Sequence, residues 1–382
     1  MKIVILGAGA SYDCINRFHD KDHDAHKWRP PLGNDIFGAR VNFREIYDKY
    51  PGALSLSHSI NAGNDIEDFF QNKWELAVDK NDKHTLANII NTQYCLQELF
   101  YKISIEYSKN IGSSNYHVLI QQAHDYHIRT GEDVVFITFN YDLLLEYALL
   151  QYYNEEQEIT FKTYTKYPIK IFKPHGSCNW FKKFKRDKFN FEFLNMIKLK
   201  PSLQDVLSEL DEEFKVSDFP IKNIHSERIN FPIFHLGQDR SNRNNYRHCF
   251  PQLLIPIKTK DDFVMSKEHL DEMNKYLSKC NDMLIIGWKG QEEFFLQTLK
   301  EQCGENEISA TFVTCRDNLP FDEIKKQIPS VKPIFFGIDY FESHLEGDKN
   351  VFDLEHNEGT FSSYILNVTK NGYKGFFDID AK

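Results

Sequence analysis

Three short polar motifs, each placed just beyond an apolar run, constrain this chain more than any bulk property does. Gly7-Ala8-Gly9-Ala10-Ser11 follows Lys2–Leu6, and Asn140-Tyr141-Asp142 follows Val134–Thr138 and Phe139. His175-Gly176-Ser177 follows the shorter run Ile169–Phe172 and Lys173-Pro174. Apolar runs of this length, rich in β-branched and aromatic residues, read as buried strands. Polar residues of the types that hold and cleave a dinucleotide therefore stand beyond strand carboxyl ends, where open α/β sheets bind their ligands. Each motif alone is weak, but the ordered set of three is hard to explain as packing.

At 382 residues the chain is long enough for one large α/β domain or two modest ones. A formal net charge of −10 argues against a general binder of phosphate backbones. Only the basic stretch at 181–188 and the Asn/Arg-rich stretch at 239–247 favour a nucleic-acid-processing role, so direct nucleic-acid binding is not expected. No uncharged run approaches the roughly 20 residues of a membrane span, and the first residues lack the pattern of a secretory leader. The seven cysteines (14, 95, 178, 249, 280, 303 and 315) are scattered, odd in number and contain no C-x-x-C pair. That usage fits a reducing cytoplasm and speaks against a zinc ribbon, and no metal is expected.

Further runs at 253–257, 283–286, 310–314 and 333–336 read as strands. They are separated by helical patterns at 267–279 and 291–301, an alternation that means a parallel sheet. The span from Asp35 to about Arg129 is mostly helical: Leu86, Ile89 and Ile90, then Leu96, Leu99, Phe100 and Ile103, follow three-to-four spacing. Ser113 or Ser114 is placed to cap the helix that starts before Tyr116. A hundred residues of helix are too many for a simple crossover and read as a cap inserted into the sheet domain. The predicted organisation is a Rossmann-like α/β domain from 1–34 and 131–339, with a variable insertion at about 181–250. A helical cap spans 35–130, and a packing or oligomerisation segment spans 340–382. An acidic amphipathic helix is predicted within the insertion at 203–214. The stretch from His19 to His26 fits a solvated loop better than a metal site.

The chemistry-bearing residues each have a plainer reading. The glycines of the first motif let a backbone approach a pyrophosphate or simply make a tight turn. Ser11 donates to phosphate or caps a helix. Asp142 caps the apolar helix at 143–150 or faces a ligand. Asn140 is harder to dismiss, because its neighbours already satisfy the turn. His175 lies between a proline and a glycine, and histidine is the side-chain type whose ordinary range suits a general base. Arg29-Pro30-Pro31-Leu32-Gly33-Asn34 is a rigid loop or a cover over the cofactor, with Asn34 or Asp35 making polar contacts. Gly287-Trp288-Lys289-Gly290 is an ordinary strand-to-helix turn or a second phosphate-side loop.

At these residues the chain resembles the sirtuin superfamily, specifically the divergent sirtuin-like domains of bacterial immune proteins. The resemblance lies in Gly7–Ser11, in Asn140 with Asp142 and in His175 with Gly176. Pro30-Pro31-Leu32 with Asn34-Asp35, Ile66-Glu67-Asp68, Pro256 and Ile285-Ile286-Gly287 also look like this branch. It implies that Gly7, Ala8, Gly9 and Ser11 hold the pyrophosphate of NAD, with Asn34, Gly176 and Gly287 also on the cofactor. Asn140 would position the nicotinamide ribose and a water, Asp142 would bind the carboxamide, and His175 would be the base. The glutamine that precedes the asparagine in deacetylases is Phe139 here, and the paired-cysteine zinc module is absent. The resemblance therefore points to an NAD hydrolase, with NAD as substrate, acting as an effector of anti-phage defence. It implies a homo-oligomer, or a partner such as a HerA-type hexameric ATPase or an Argonaute-like protein. A non-catalytic module that binds NAD or ADP-ribose is the principal alternative.

Overall fold

A computed structural model describes residues 1–15, 25–38, 40–60, 66–80, 82–109, 113–155, 159–185, 210–216, 222–223, 237–238, 248–254, 263–313, 319–336, 360–370 and 375–378. In chain order the strands are β1 (Lys2–Leu6), β2 (Val134–Thr138), β3 (Ile169–Phe172), β4 (Gly176–Phe184), β5 (Leu210–Val216), β6 (Lys222–Asn223), β7 (Gly237–Gln238), β8 (His248–Leu253), β9 (Asp282–Ile286), β10 (Ser309–Val313) and β11 (Lys332–Phe336). Six of them form a parallel sheet in the order β11-β10-β9-β1-β2-β3. Numbered within that sheet alone, the order is the doubly wound 3-2-1-4-5-6 of dinucleotide-binding folds. The fold is Rossmann-like α/β, and its direction of growth reverses at β1.

Why these runs form the centre of the sheet follows from their burial. In β1, β2 and β9 every residue but the first of β1 and of β9 is buried, so both faces of each strand must be apolar. The registers are level as well. Leu6 lies beside Thr138 on one side and Ile286 on the other, and Ile137 lies beside Phe172. The chain consequently leaves β1, β2, β3 and β9 at one height along one edge of the sheet. That is the geometric reason why motifs separated by more than a hundred residues meet.

Helices α1 (Ala8–Tyr12), α2 (Val41–Tyr47), α3 (Pro51–Ser59), α4 (Ile66–Asp79), α5 (Lys83–Lys109) and α6 (Asn115–Thr130) separate β1 from β2. The three-to-four stripe expected on α5 is buried, from Ile89 and Ile90 to Ile103. Helices α2, α3 and α4 pack against it, and its other side meets β4 and β8. There Gln93 Nε2 donates to Leu253 O at 2.7 Å and Tyr94 Oη donates to Cys249 O at 2.7 Å. Ser114 is the residue that caps α6: its amide donates to His117 Nδ1 at 3.0 Å. Gly131, at φ 73°, ends the same helix in the left-handed conformation. Although α6 belongs to the predicted cap by its position in the chain, it packs on β2, β3 and α7 (Leu144–Tyr152) and flanks the sheet.

The remaining described helices are α8 (Thr163–Lys166), α9 (Lys267–Leu277), α10 (Glu293–Cys303), α11 (Leu319–Gln327) and α12 (Phe361–Lys370). Two sequence expectations are corrected here. Within the predicted helix at 203–214, residues from Leu210 onward form β5, antiparallel to β4. Pairing with β4 outweighs the helical spacing, because it lets Phe214 pack on Trp180 and Phe161. Residues 203–209 lie outside the described residues. Of the strand expected at 253–257, Leu253 ends β8 (His248–Leu253), which pairs antiparallel with β4 outside the parallel sheet, and 255–257 lie outside the described residues. With β5, β6 and β7 these strands make a second sheet in the order β5-β4-β8-β7-β6, which the sequence patterns did not reveal.

The histidine- and aspartate-rich stretch lies almost wholly outside the described residues. Among the described residues, no group of three or more metal-ligating side chains could hold a metal ion. No helix among them is long and apolar enough to cross a membrane.

Candidate active site

Beyond the carboxyl ends of β1, β2 and β9 lies a cavity of about 430 Å³, within the range of roughly 300–1,000 Å³ typical of small-molecule sites. Gly7, Ala8, Gly9, Ser11, Asn140, Asp142, His175 and Gly287 all line it. The position is the switch point of the sheet, between the loops that leave β1 and β9.

The two loops touch along their backbones. Gly7 N donates to Ile286 O at 3.0 Å and Gly9 N to Gly287 O at 3.1 Å. A Cβ on Gly7 would come within 2.4 Å of Gly287 O. One on Gly287, whose φ is 61°, would come within 2.4 Å of Ala10 N. These glycines are thus required by the contact between the loops, whatever else approaches them.

Asn140 ties the first two motifs together. Its Nδ2 donates to Gly7 O and to Ser11 Oγ, both at 2.9 Å, and lies 3.5 Å from Tyr116 Oη. Ser11 Oγ is also 2.9 Å from Tyr116 Oη. Asp142 does what its capping reading required: Oδ1 accepts from Leu144 N at 3.2 Å where α7 begins. It also lines the cavity, so the two readings are compatible. Burial pushes its carboxyl above the usual carboxylate range, and the Lys173 ammonium and the Ser11 hydroxyl only partly offset this.

Lys173 sits beneath that turn with no exposure at all. Its Nζ donates to Asp142 O at 2.6 Å and to Glu146 Oε1 at 2.8 Å. Tyr164 Oη donates to the same carboxylate at 3.1 Å, and Trp180 Nε1 donates to Tyr164 Oη at 3.1 Å. The third motif therefore brings a buried cation as well as a histidine. His175 itself meets the edge of Phe139, with ring centroids 4.8 Å apart. Phe139 in turn stacks on Trp288 at 5.4 Å with the planes 8° apart, and Trp288 Nε1 donates to Glu292 Oε2 at 2.6 Å. One wall of the cavity is thus an aromatic stack joining the loops after β2 and β9.

Pro30, Pro31, Leu32, Gly33 and Asp35 line the same cavity. Asn34 falls in a short 3-10 turn, Gly33–Asp35, and its side chain lies outside the described residues. Gly176 is not among the lining residues. It opens β4 at φ 78°, where a Cβ would come within 2.1 Å of Gln252 O, so the second sheet accounts for this glycine. Sequence reasoning missed Tyr116 and Lys173 as parts of the site, and it named Trp288 and Phe139 without seeing the stack they form. Only Lys173, a lysine directly after a buried strand, carried a local signal of unusual burial.

No known family description and no curated protein matches the chain. Among solved structures it is similar to one from work on the structural basis of sirtuin substrate affinity, at 13% identity, 90% of this chain against 91% of that one, and a TM-score of 0.31. A histidine-to-asparagine variant of a Sir2 homologue complexed with ADP-ribose gives 12% identity, 86% against 89%, and a TM-score of 0.33. A structure from work on the mechanism and regulation of Sir2 enzymes gives 10%, 86% against 90%, and 0.29. The strand order and registers given above define the fold on their own.

Proposed function

We propose that the protein is an NAD+ hydrolase that cleaves the nicotinamide–ribose bond to give ADP-ribose and nicotinamide. The observation that supports this reading is the gathering of Gly7, Gly9, Ser11, Asn140, Asp142 and His175 around one cavity at the switch point of a doubly wound sheet. On this reading the pyrophosphate docks on the loop after β1, with Lys289 at the rim as a nearby cation. The nicotinamide end lies beside Asn140 and Asp142, whose carboxylate accepts from the carboxamide.

The bond from the ribose anomeric carbon to the pyridinium nitrogen breaks with its electron pair moving onto nitrogen, so nicotinamide leaves neutral. The ribose is left as an oxocarbenium ion, and the barrier falls through orientation and electrostatics. Water, held by Asn140, adds to the anomeric carbon as His175 takes its proton. The aromatic stack of Phe139 and Trp288 against His175 keeps bulk water from that side.

An unrestrained NAD hydrolase would exhaust its own cell, so the proposal extends to control. The sequence resemblance supports a role as an anti-phage effector held latent as a homo-oligomer or by a partner such as a HerA-type ATPase. The test is incubation of purified protein with NAD, following nicotinamide and ADP-ribose by chromatography beside the His175→Ala protein. Both products are expected from the wild type, with turnover lowered at least 100-fold in the variant. Equal product from the two proteins would remove His175 from the mechanism. Tight binding of ADP-ribose without cleavage, alone and with its partner, would favour a non-catalytic module.

A further inference from the structure

The cavity residues Ser11 and Asn140 meet a third side chain that does not face the cavity. Tyr116 comes from α6, in the helical segment between β1 and β2, and is 1% exposed. Its hydroxyl is 2.9 Å from Ser11 Oγ and 3.5 Å from Asn140 Nδ2. We propose that Tyr116 is a positioning residue: its hydroxyl sets the orientation of Ser11 and Asn140, and through them the alignment of the substrate ribose and water.

Ser11 Oγ lies 2.9 Å from Tyr116 Oη, and either hydroxyl can donate in that bond. The serine oxygen also accepts from Asn140 Nδ2. Held between these two partners, the serine hydroxyl has its rotation fixed by the phenol whichever of the two donates. Burial, reinforced by the charge of Asp142, pushes the phenol well above its ordinary value, so it keeps its proton throughout the working range. A cluster results in which Tyr116 Oη and Asn140 Nδ2 both meet Ser11 Oγ. Without the phenol, Ser11 keeps only Asn140 Nδ2 of these two partners, and its hydroxyl turns more readily.

The ring is held from several sides. Next to it in the chain, Asn115 N donates to Cys14 O at 2.7 Å, and Asn115 Nδ2 donates to Asp13 O at 2.8 Å. Both acceptors lie just beyond α1. From the far end of the chain, Phe361 at the start of α12 packs on the Tyr116 ring with centroids 5.6 Å apart. A phenylalanine would fill the same volume, so the hydroxyl is present for Ser11 and Asn140. The catalytic consequence rests on the NAD-hydrolase reading; the orienting role does not.

The experiment compares wild type, Tyr116→Phe and a control, Tyr50→Phe. Tyr50 is equally buried and donates to Glu98 Oε2 at 2.6 Å, and it is not among the residues lining the cavity. Two quantities are read: the side-chain amide NMR signals of Asn140 in the unliganded protein, assigned by their loss in Asn140→Asp, and the kinetics of NAD consumption. Tyr116→Phe is expected to shift the Asn140 signals and speed their exchange with solvent. It should lower kcat about five- to tenfold, the worth of one buried hydrogen bond, with KM changed less than about threefold. Tyr50→Phe should move neither.

Unshifted Asn140 signals in Tyr116→Phe would overturn the proposal. So would an unchanged kcat, or an equal fall of kcat in the control. If wild type leaves NAD intact while the Asn140 signals still shift, the orienting role stands and it is the hydrolase reading that falls.

Discussion

Asp142 carries two demands that pull against each other. Its Oδ1 must accept the Leu144 amide to start α7, which an uncharged group can do equally well. Its burial raises the cost of the charge, and the carboxyl is displaced upward. A group whose folded pKa lies above its unfolded value stabilises the fold most when protonated. Its contribution is complete below the unfolded value and is lost as pH rises through the folded one. Asp142→Asn keeps the acceptor and removes the charge. The variant should therefore match wild type in stability near pH 4 and exceed it increasingly as pH rises above the ordinary carboxylate range. Thermal melts across pH should show the gap opening to about 1–3 °C at neutrality. NAD turnover in the same protein should fall, chiefly through KM, because the proposed partner of the carboxamide is lost. A lower midpoint at neutral pH would mean that the Lys173 ammonium outweighs desolvation and that the charge supports the fold.

Between elements, the buried pair Lys173–Glu146 fastens the end of β3 to α7. Lys173 follows directly on β3, and its ammonium crosses to the Asp142 carbonyl and the Glu146 carboxylate. Glu146 Oε2 has no hydrogen-bond partner among the described residues, so the carboxylate depends on that one cation and on Tyr164. Removing one member leaves a buried charge alone, which costs about 3–5 kcal/mol, whereas removing both charges is far less damaging. Lys173→Met should lower stability by that amount in urea unfolding and also loosen the Asn140–Asp142 turn. Lys173→Met with Glu146→Gln retains an acceptor for Tyr164 and should recover at least half of the loss. A double variant as unstable as the single one would show that the ammonium matters through Asp142 O and not through its counter-ion. This clamp was only half legible beforehand. Lys173 stood visibly after a strand, but Glu146 lies on a helix whose apolar run announces packing alone.

Across the whole molecule, the legible parts were those encoded over five or so consecutive residues. The buried strands β1, β2 and β9 read directly because a parallel strand buried on both faces leaves an unbroken apolar run. Their level registers then carried the glycine loop, Asn140, Asp142 and His175 to one place. The second sheet was not legible. Its central strands β4 and β8 lie far apart in the chain, β8 contains Pro251, and β5 borrows a spacing that also suits a helix. Tyr116 was invisible for the same reason: only tertiary packing places it behind Ser11.

Cysteines sample every one of these layers. Cys14 follows α1, Cys95 lies on α5, Cys178 on β4, Cys249 on β8, Cys280 before β9 and Cys303 at the end of α10. All six are buried, and burial raises the thiols of Cys14, Cys95, Cys178 and Cys280, and that of Cys303 to about 12. Since the thiolate is the reactive form, both accessibility and ionisation protect them. Native protein at pH 8 should therefore give at most one fast-reacting thiol out of seven with a chromogenic disulfide, Cys315 lying outside the described residues. All seven should react after guanidinium unfolding. Two or more fast thiols in the native state would mean that one of the layers opens far more readily than its packing allows. Mapping which cysteine reacted would say whether it is the parallel sheet around the site or the second sheet beside it.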